Sequence, residues 1–355
     1  MTRTADTIVI GAGVIGLCVA TSLAKRGLSV VLIGDHREGE ASRAAAGMLA
    51  PSVEQSEGPA HDYAIAARDF YPDFLEQLAD DTGIRVPLNR LGILQVALTE
   101  RGVRGLRRTA PATSRWMERN ELTELEPTLG HALGAVFNPD DGAADNVILM
   151  KALEAQVSNL PGITQISGFA TRVSRDAATV TLETGEMLEG KSVVIAAGAW
   201  GAKIDGAQAL AALAPCRGQL VSYQSIGLRH VTYGPRGYLV PRYAGTTIAG
   251  STMEMVGFDA HTTPEGLAKV HSAAAEIAPG LAASKIVSEW AGLRPITPDM
   301  LPIIGPDPDA PKIIYATGHS RNGILLAPLT GETVAALAVG ERPDHDISQF
   351  RPGRF

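Results

Sequence analysis

Short apolar runs alternate with helical stretches along most of this chain, and their order predicts an α/β protein. Ile8, Val9 and Ile10 make one uninterrupted apolar strand, residues 14–26 a mostly apolar helix, and residues 28–33 a second apolar strand. Continuous hydrophobicity in both strands suits a parallel sheet covered on its two faces. From 61 to 80, Tyr63, Ala67, Phe70, Phe74 and Leu78 recur near helical spacing, so an amphipathic core helix is expected there. A strand at 92–98 follows, then a charged helical region from 99 to about 125, a turn at Asp140-Asp141-Gly142 and a helix over 147–160. Residues 179–188 read as a hairpin turning at Thr184-Gly185, which feeds a buried strand beginning at Lys191. Between about 215 and 289 the pattern changes to alternation at 219–223, 237–242 and 246–249, typical of an antiparallel sheet, with a helix near 265–277. A strand at 312–317 and an apolar helix starting near Ile324 close the pattern.

This order predicts two interleaved units. Residues 1–88, 142–214 and 290–355 would form a Rossmann-like α/β dinucleotide-binding domain. Residues 89–141 and 215–289 would form a smaller α+β substrate domain built on the antiparallel sheet.

The first turn carries the chemistry. Gly11, Gly13 and Gly16 spell G-x-G-x-x-G between strand and helix. The first glycine allows the tight turn, the second lets backbone approach a pyrophosphate, and the third lets helix pack on strand. Val14 and Ile15 begin the helix whose free N–H groups and positive dipole end face the phosphates. Asp35 lies 19 residues beyond Gly16, where an acid accepts hydrogen bonds from the ribose. The uncharged run 8–24 would also suit a membrane anchor, but it is short for a span and its glycines fall where the fingerprint needs them.

Bulk composition narrows the classes. The chain has 355 residues, a formal net charge of −7 and no basic block, so nucleic acid is not an expected partner. With only Cys18 and Cys216, neither a disulfide framework nor a Cys-based zinc site can be built; Cys18, on the apolar helix, should be core. The first strand begins by residue 7, so no signal peptide is expected, and a cytoplasmic protein is.

Three further segments should meet the dinucleotide. Arg43, Ala44, Ala45, Ala46, Gly47 and Met48 form a run of mostly small residues beyond the second strand, and Ala197, Gly198 and Trp200 end a buried strand. The third is 318–328, where a strand, a glycine and a helix N-terminus follow one another. One fingerprint fits NAD or FAD equally well. No second G-x-G-x-x-G occurs, and the C-terminal helix N-terminus suits the negative charge of a reduced flavin, which favours FAD.

The run 44–49, the segment Trp290-Ala291-Gly292-Leu293-Arg294-Pro295 and the C-terminal Gly318-His319-Ser320-Arg321-Asn322-Gly323-Ile324-Leu325-Leu326-Ala327-Pro328 resemble glycine oxidases, members of the D-amino acid oxidase family. The resemblance runs from residue 7 to about 340. It implies a glutathione-reductase-type FAD-binding domain and non-covalent FAD, because this chain has no cysteine in its C-terminal segment for a tether. It also implies hydride transfer from substrate Cα to flavin N5, hydrolysis of the imine to glyoxylate and amine, and reoxidation by O2 to give H2O2. Carried over residue by residue, Arg294 grips the substrate carboxylate, Tyr238 shares it, and Arg321 is a second active-site arginine. Tyr233, Met253 and Met48 line the pocket, while Arg294, His319, Arg321, Asn322, Gly323, Ile324 and Leu325 border the flavin. His319 is not expected to act as a base.

Two departures stand out. Glycine oxidases usually end the second strand with Glu, whereas here that slot is Gly34 and the acid follows at Asp35. Arg236, two residues before Tyr238, is more basic than the family tends to carry. It would bind a second carboxylate if it faces the pocket, and would be a bystander if it faces solvent. Rival readings are a D-amino acid oxidase, a flavin dehydrogenase with another electron acceptor, and a non-catalytic FAD-binding protein. The stretch 51–60, rich in Gly, Pro, Ser and Glu, would suit a lid. A homo-oligomer is compatible with the sequence.

Overall fold

The computed structural model describes residues 3–54 and 57–355. The N-terminal strand, Arg3–Ile10, lies between two parallel neighbours. Val30–Ile33 pairs on one side, with Thr7 opposite Val30, and Met187–Ile195 on the other, with Ile10 opposite Ile195. Ile163–Ile166 and Ile313–Thr317 extend the parallel part outward, and Thr179–Leu182 adds the expected hairpin. Four helices cover one face: Val14–Lys25, Pro59–Thr82, Asn146–Asn159 and Gly323–Ala338, with Cys18 buried among them. The other face packs Ile8, Ile10, Val31, Ile33, Val193 and Ile195 against Val180, Leu210 and Tyr315. Burial on both sides is why these strands read as unbroken apolar runs.

A second eight-stranded sheet stands beside the first. In spatial order its strands are Ile286–Ile296, Ala214–Gln224, Thr246–Gly250, Tyr238–Arg242, Val231–Tyr233, Ile93–Ala97, Gly134–Asn138 and Arg115–Glu118. All pairings are antiparallel except Val231–Tyr233 beside Ile93–Ala97, where the two excursions of the chain meet. Helix Pro264–Ile277 packs on one face; Leu220, Val231, Val240 and Ile248 of the other meet Ala46 and Ala50. The strand Ile286–Ile296 pairs along its length with Ala214–Gln224, so this sheet runs past residue 290 towards the first.

The region expected as one charged helix over 99–125 is instead broken. Glu100–Thr109, capped by the Thr99 hydroxyl at 3.1 Å from Gly102 N, ends before Pro111, and Arg115–Glu118 becomes the sheet's outer strand before Arg119–Leu125 turns helical again. A proline cannot continue the helix, and pairing of Trp116 with Val136 decides the rest. Of the stretch read as a lid, Pro51–Glu54 is a short helix, residues 55–56 lie outside the described residues, and a longer helix starts at Pro59. Among the described residues no helix is long and apolar enough to cross a membrane.

Candidate active site

The two sheets enclose a cavity of about 700 Å³. At one end lies the fingerprint turn. Gly11 has φ +111, and a Cβ there would sit 2.4 Å from Ala196 O; a Cβ on Gly16 would sit 1.7 Å from Gly11 O. Only glycine fits either place. Gly16 therefore packs beneath the turn, while Gly11, Gly13, Val14 and Ile15 line the cavity. Ser42 Oγ accepts the Val14 N–H at 3.0 Å, and no acidic side chain occupies the helix's first turn, leaving its dipole free for an anion.

Gly34, the slot where the resemblance would place Glu, has no room for a side chain: a Cβ would lie 2.6 Å from both the Cβ and the N of Ala12. Asp35 lines the cavity in its stead. Its carboxylate accepts the Ser167 hydroxyl and, at 2.8 Å, the His36 N–H, which together hold it below the usual carboxylate range. Arg37, absent from the sequence reading, stacks 3.3 Å from the Phe169 ring centroid, with Trp200 at 5.5 Å, beside Asp35 at this end.

The small-residue run is pinned by its carbonyls. Asn146 Nδ2 donates to Ser42 O at 2.9 Å and Arg43 O at 3.1 Å, Trp290 Nε1 to Ala44 O at 3.0 Å, and Arg242 Nη2 to Ala46 O at 3.1 Å. Arg242 also bonds Ala144 O at 3.1 Å and Asn146 Oδ1 at 2.6 Å. With these carbonyls satisfied from behind, Ala44, Ala45, Ala46, Gly47 and Met48 border the cavity. Arg43 does not; its guanidinium pairs with Glu40 at 2.7 Å and with Glu154. Asn146 and Arg242 carried no motif, so nothing in the sequence pointed to them.

Ala197, Gly198 and Trp200 line the cavity, as do His319, Arg321, Asn322, Gly323 and Ile324 around the start of the C-terminal helix. Leu325 turns into the core behind them. His319 is fully enclosed with Nε2 at 3.2 Å from Thr330 Oγ1, and burial depresses its pKa to about 3, so its ring is neutral. The glycine turn, the pinned small residues and the helix N-terminus form a cradle that side chains would fill, and it suits a flavin dinucleotide.

The far end belongs to the second sheet. Arg294 Nη1 donates to Thr252 O at 3.1 Å and Nη2 to Ser251 Oγ at 2.5 Å, both uncharged partners. Its guanidinium lies over Gly218, where a Cβ would come within 2.2 Å of Nη1. Gly218 pairs with Gly292, whose own Cβ would lie 2.4 Å from that of Ala44, so this glycine pair makes room for both the arginine and the small-residue run. Tyr238 pairs with Gly250, next to Ser251, and its ring lies 5.7 Å from that of Tyr233. Burial, with Glu54 and Tyr238 nearby, raises the Tyr233 hydroxyl well above its ordinary pKa. Met253, largely exposed, lies on the rim. Arg321 Nε bonds Glu54 of the short helix Pro51–Glu54, another residue outside the sequence reading. Arg236 lines the mouth but turns to helix Pro264–Ile277: Nε bonds Glu276 at 2.7 Å and Nη2 bonds Ser272 at 3.1 Å.

A family model described as FAD dependent oxidoreductase (DAO) matches residues 6–337. The glycine oxidase of Bacillus licheniformis is 33% identical over 96% of this chain and 94% of its own length. The bifunctional protein ThiO/ThiG of Synechocystis sp. is 34% identical over 100% of this chain but 55% of its own length, so the chain spans about half of that relative. The crystal structure of glycine oxidase from Geobacillus kaustophilus superposes with TM-score 0.91 at 30% identity, covering 100% of both chains.

Proposed function

The chain belongs to the DAO family of FAD-dependent oxidoreductases, and from that premise we propose that it oxidises glycine or an N-substituted glycine to glyoxylate and an amine. One observation carries the reading: Arg294 presents its guanidinium to the cavity with only neutral partners among the described residues, at the end opposite the fingerprint turn. A charge so placed calls for an anionic ligand, and the guanidinium fork matches a carboxylate bidentately. Tyr238, three strands over in the sheet but paired with Gly250 beside the Ser251 that Arg294 bonds, would share that carboxylate and fix the Cα. FAD, when bound, would supply the acceptor for the hydride leaving Cα, with O2 as the proposed final oxidant and peroxide as its product. Gly11, Gly13, Val14, Ile15, Asp35, the run 44–48, Ala197, Gly198, Trp200 and residues 319 and 321–324 would hold it. His319 is neutral and engaged with Thr330, so it is not assigned a role as base, and the chemistry needs none when the amine binds unprotonated. Arg236, held by Glu276, favours a substrate with one carboxylate over one with two.

The test is anaerobic bleaching of the bound flavin by glycine, sarcosine, D-alanine, D-proline and N-carboxymethyl amino acids. Rapid bleaching by glycine or sarcosine is the expected result. Bleaching by D-alanine and D-proline alone would move the assignment to a D-amino acid oxidase, and bleaching without peroxide in air would point to another acceptor.

A further inference from the structure

Three arginines stand at the substrate end of the cavity, and they differ in what holds them. Arg236 is paired with Glu276 and Arg321 with Glu54, while among the described residues Arg294 has only Thr252 O and Ser251 Oγ. Glu54 differs from Glu276 in position: it lines the cavity and its side chain is only 11% exposed, against 33% for Glu276. It is also fixed in place. Two residues earlier, Ser52 donates from N and Oγ to Asp141 at 3.1 and 3.0 Å, and Asp141 is held in turn by Arg68 at 3.0 Å. The helix Pro51–Glu54 is thereby tied to the body of the protein with its last carboxylate against Arg321.

We propose that Glu54 is a specificity-determining residue: by neutralising Arg321 it leaves Arg294 as the arginine without an acidic partner at the substrate end, among the described residues, and restricts the site to substrates bearing one carboxylate. The inference rests on the amine-oxidase reading given above and deepens it. A second carboxylate near Arg321 would displace Glu54 from its partner and leave a buried anion beside another anion, which is costly. Removing the charge of Glu54 while keeping its shape converts Arg321 into a second carboxylate anchor.

The test uses FAD-loaded wild type and Glu54→Gln with two unreactive ethers, methoxyacetate with one carboxylate and oxydiacetate with two, titrated by the change in flavin absorbance. Oxydiacetate should bind about 10- to 100-fold tighter to Glu54→Gln than to wild type, the gain of a charge-assisted hydrogen bond, while methoxyacetate stays unchanged. Adding Arg321→Gln to Glu54→Gln should abolish that gain. An equal shift for both ethers, or a gain that survives loss of Arg321, would overturn the proposal. Because the readout is binding without turnover, it stands apart from the functional reading. Wild-type flavin left unbleached by every amine would defeat that reading, and the ether ratio would still report on Glu54.

Discussion

Replacing Gly218 by Ala isolates the carboxylate anchor better than removing the anchor itself. Gly218 has an extended backbone within the strand Ala214–Gln224, so an alanine is tolerated there by the chain. The new methyl carbon would lie 2.2 Å from Arg294 Nη1, 2.3 Å from Nη2 and 2.5 Å from Cζ, whereas ordinary contact begins near 3.4 Å. The guanidinium must therefore retreat by the difference, about 1.2 Å from 2.2 to 3.4. A misplacement of roughly 1 Å costs about 100-fold in rate when it shifts the reacting carbon. The assay is kcat/KM for glycine and sarcosine, read beside FAD content and thermal unfolding. We expect kcat/KM to fall about 100-fold with full FAD loading and no loss of Tm, since Ala suits a strand better than Gly by roughly 0.5–1 kcal/mol. A Gly218→Ala enzyme with wild-type kcat/KM would refute the idea that Arg294 must lie over this glycine to hold substrate.

Four further outcomes follow from the same geometry. Arg294→Gln removes the uncompensated cation, so KM for glycine should rise by about 10- to 100-fold with FAD retained; an unchanged KM would remove Arg294 from carboxylate binding. Asn146→Ala leaves the carbonyls of Ser42 and Arg43 without that donor and should lower stability by about 1–3 kcal/mol and weaken FAD retention, measured by urea unfolding and by the flavin dissociation constant. Gly34→Glu restores the residue of the family pattern but collides with Ala12, so flavin should bind more weakly; tighter binding would show that the strand end yields. His319, buried and neutral with a pKa of about 3 against an ordinary 6.5, binds a proton on unfolding anywhere between those values. Its contribution is complete above pH 6.5 and is lost as pH falls towards 3, by up to about 1.4 kcal/mol per pH unit. Urea midpoints should accordingly fall more steeply with acid in wild type than in His319→Asn, and parallel curves would contradict the burial argument.

The chain by itself determined the first layer. Unbroken apolar strands at residues 8–10 and 30–33, with glycines at 11, 13 and 16 between strand and helix, dictate a parallel sheet with a dinucleotide turn, because backbone sterics and burial allow little else. The alternation beyond residue 215 foretold the antiparallel sheet, and the C-terminal motif led to the family. Local pattern failed over 99–125, where helix-forming charged residues were overruled by pairing of Arg115–Glu118 with Gly134–Asn138.

What only the tertiary structure decided is which groups share a partner. Arg294, Arg321 and Arg236 look alike in sequence, yet one faces neutral oxygens and the other two are paired with Glu54 and Glu276, residues 267 and 40 positions away. Asn146 and Arg242 likewise gain their role from carbonyls some 100 to 200 residues distant. Periodicity records which side of an element is buried, a property of neighbours along the chain. The charge left over at a site depends on which distant acids the fold brings within hydrogen-bond range, and no local pattern carries that.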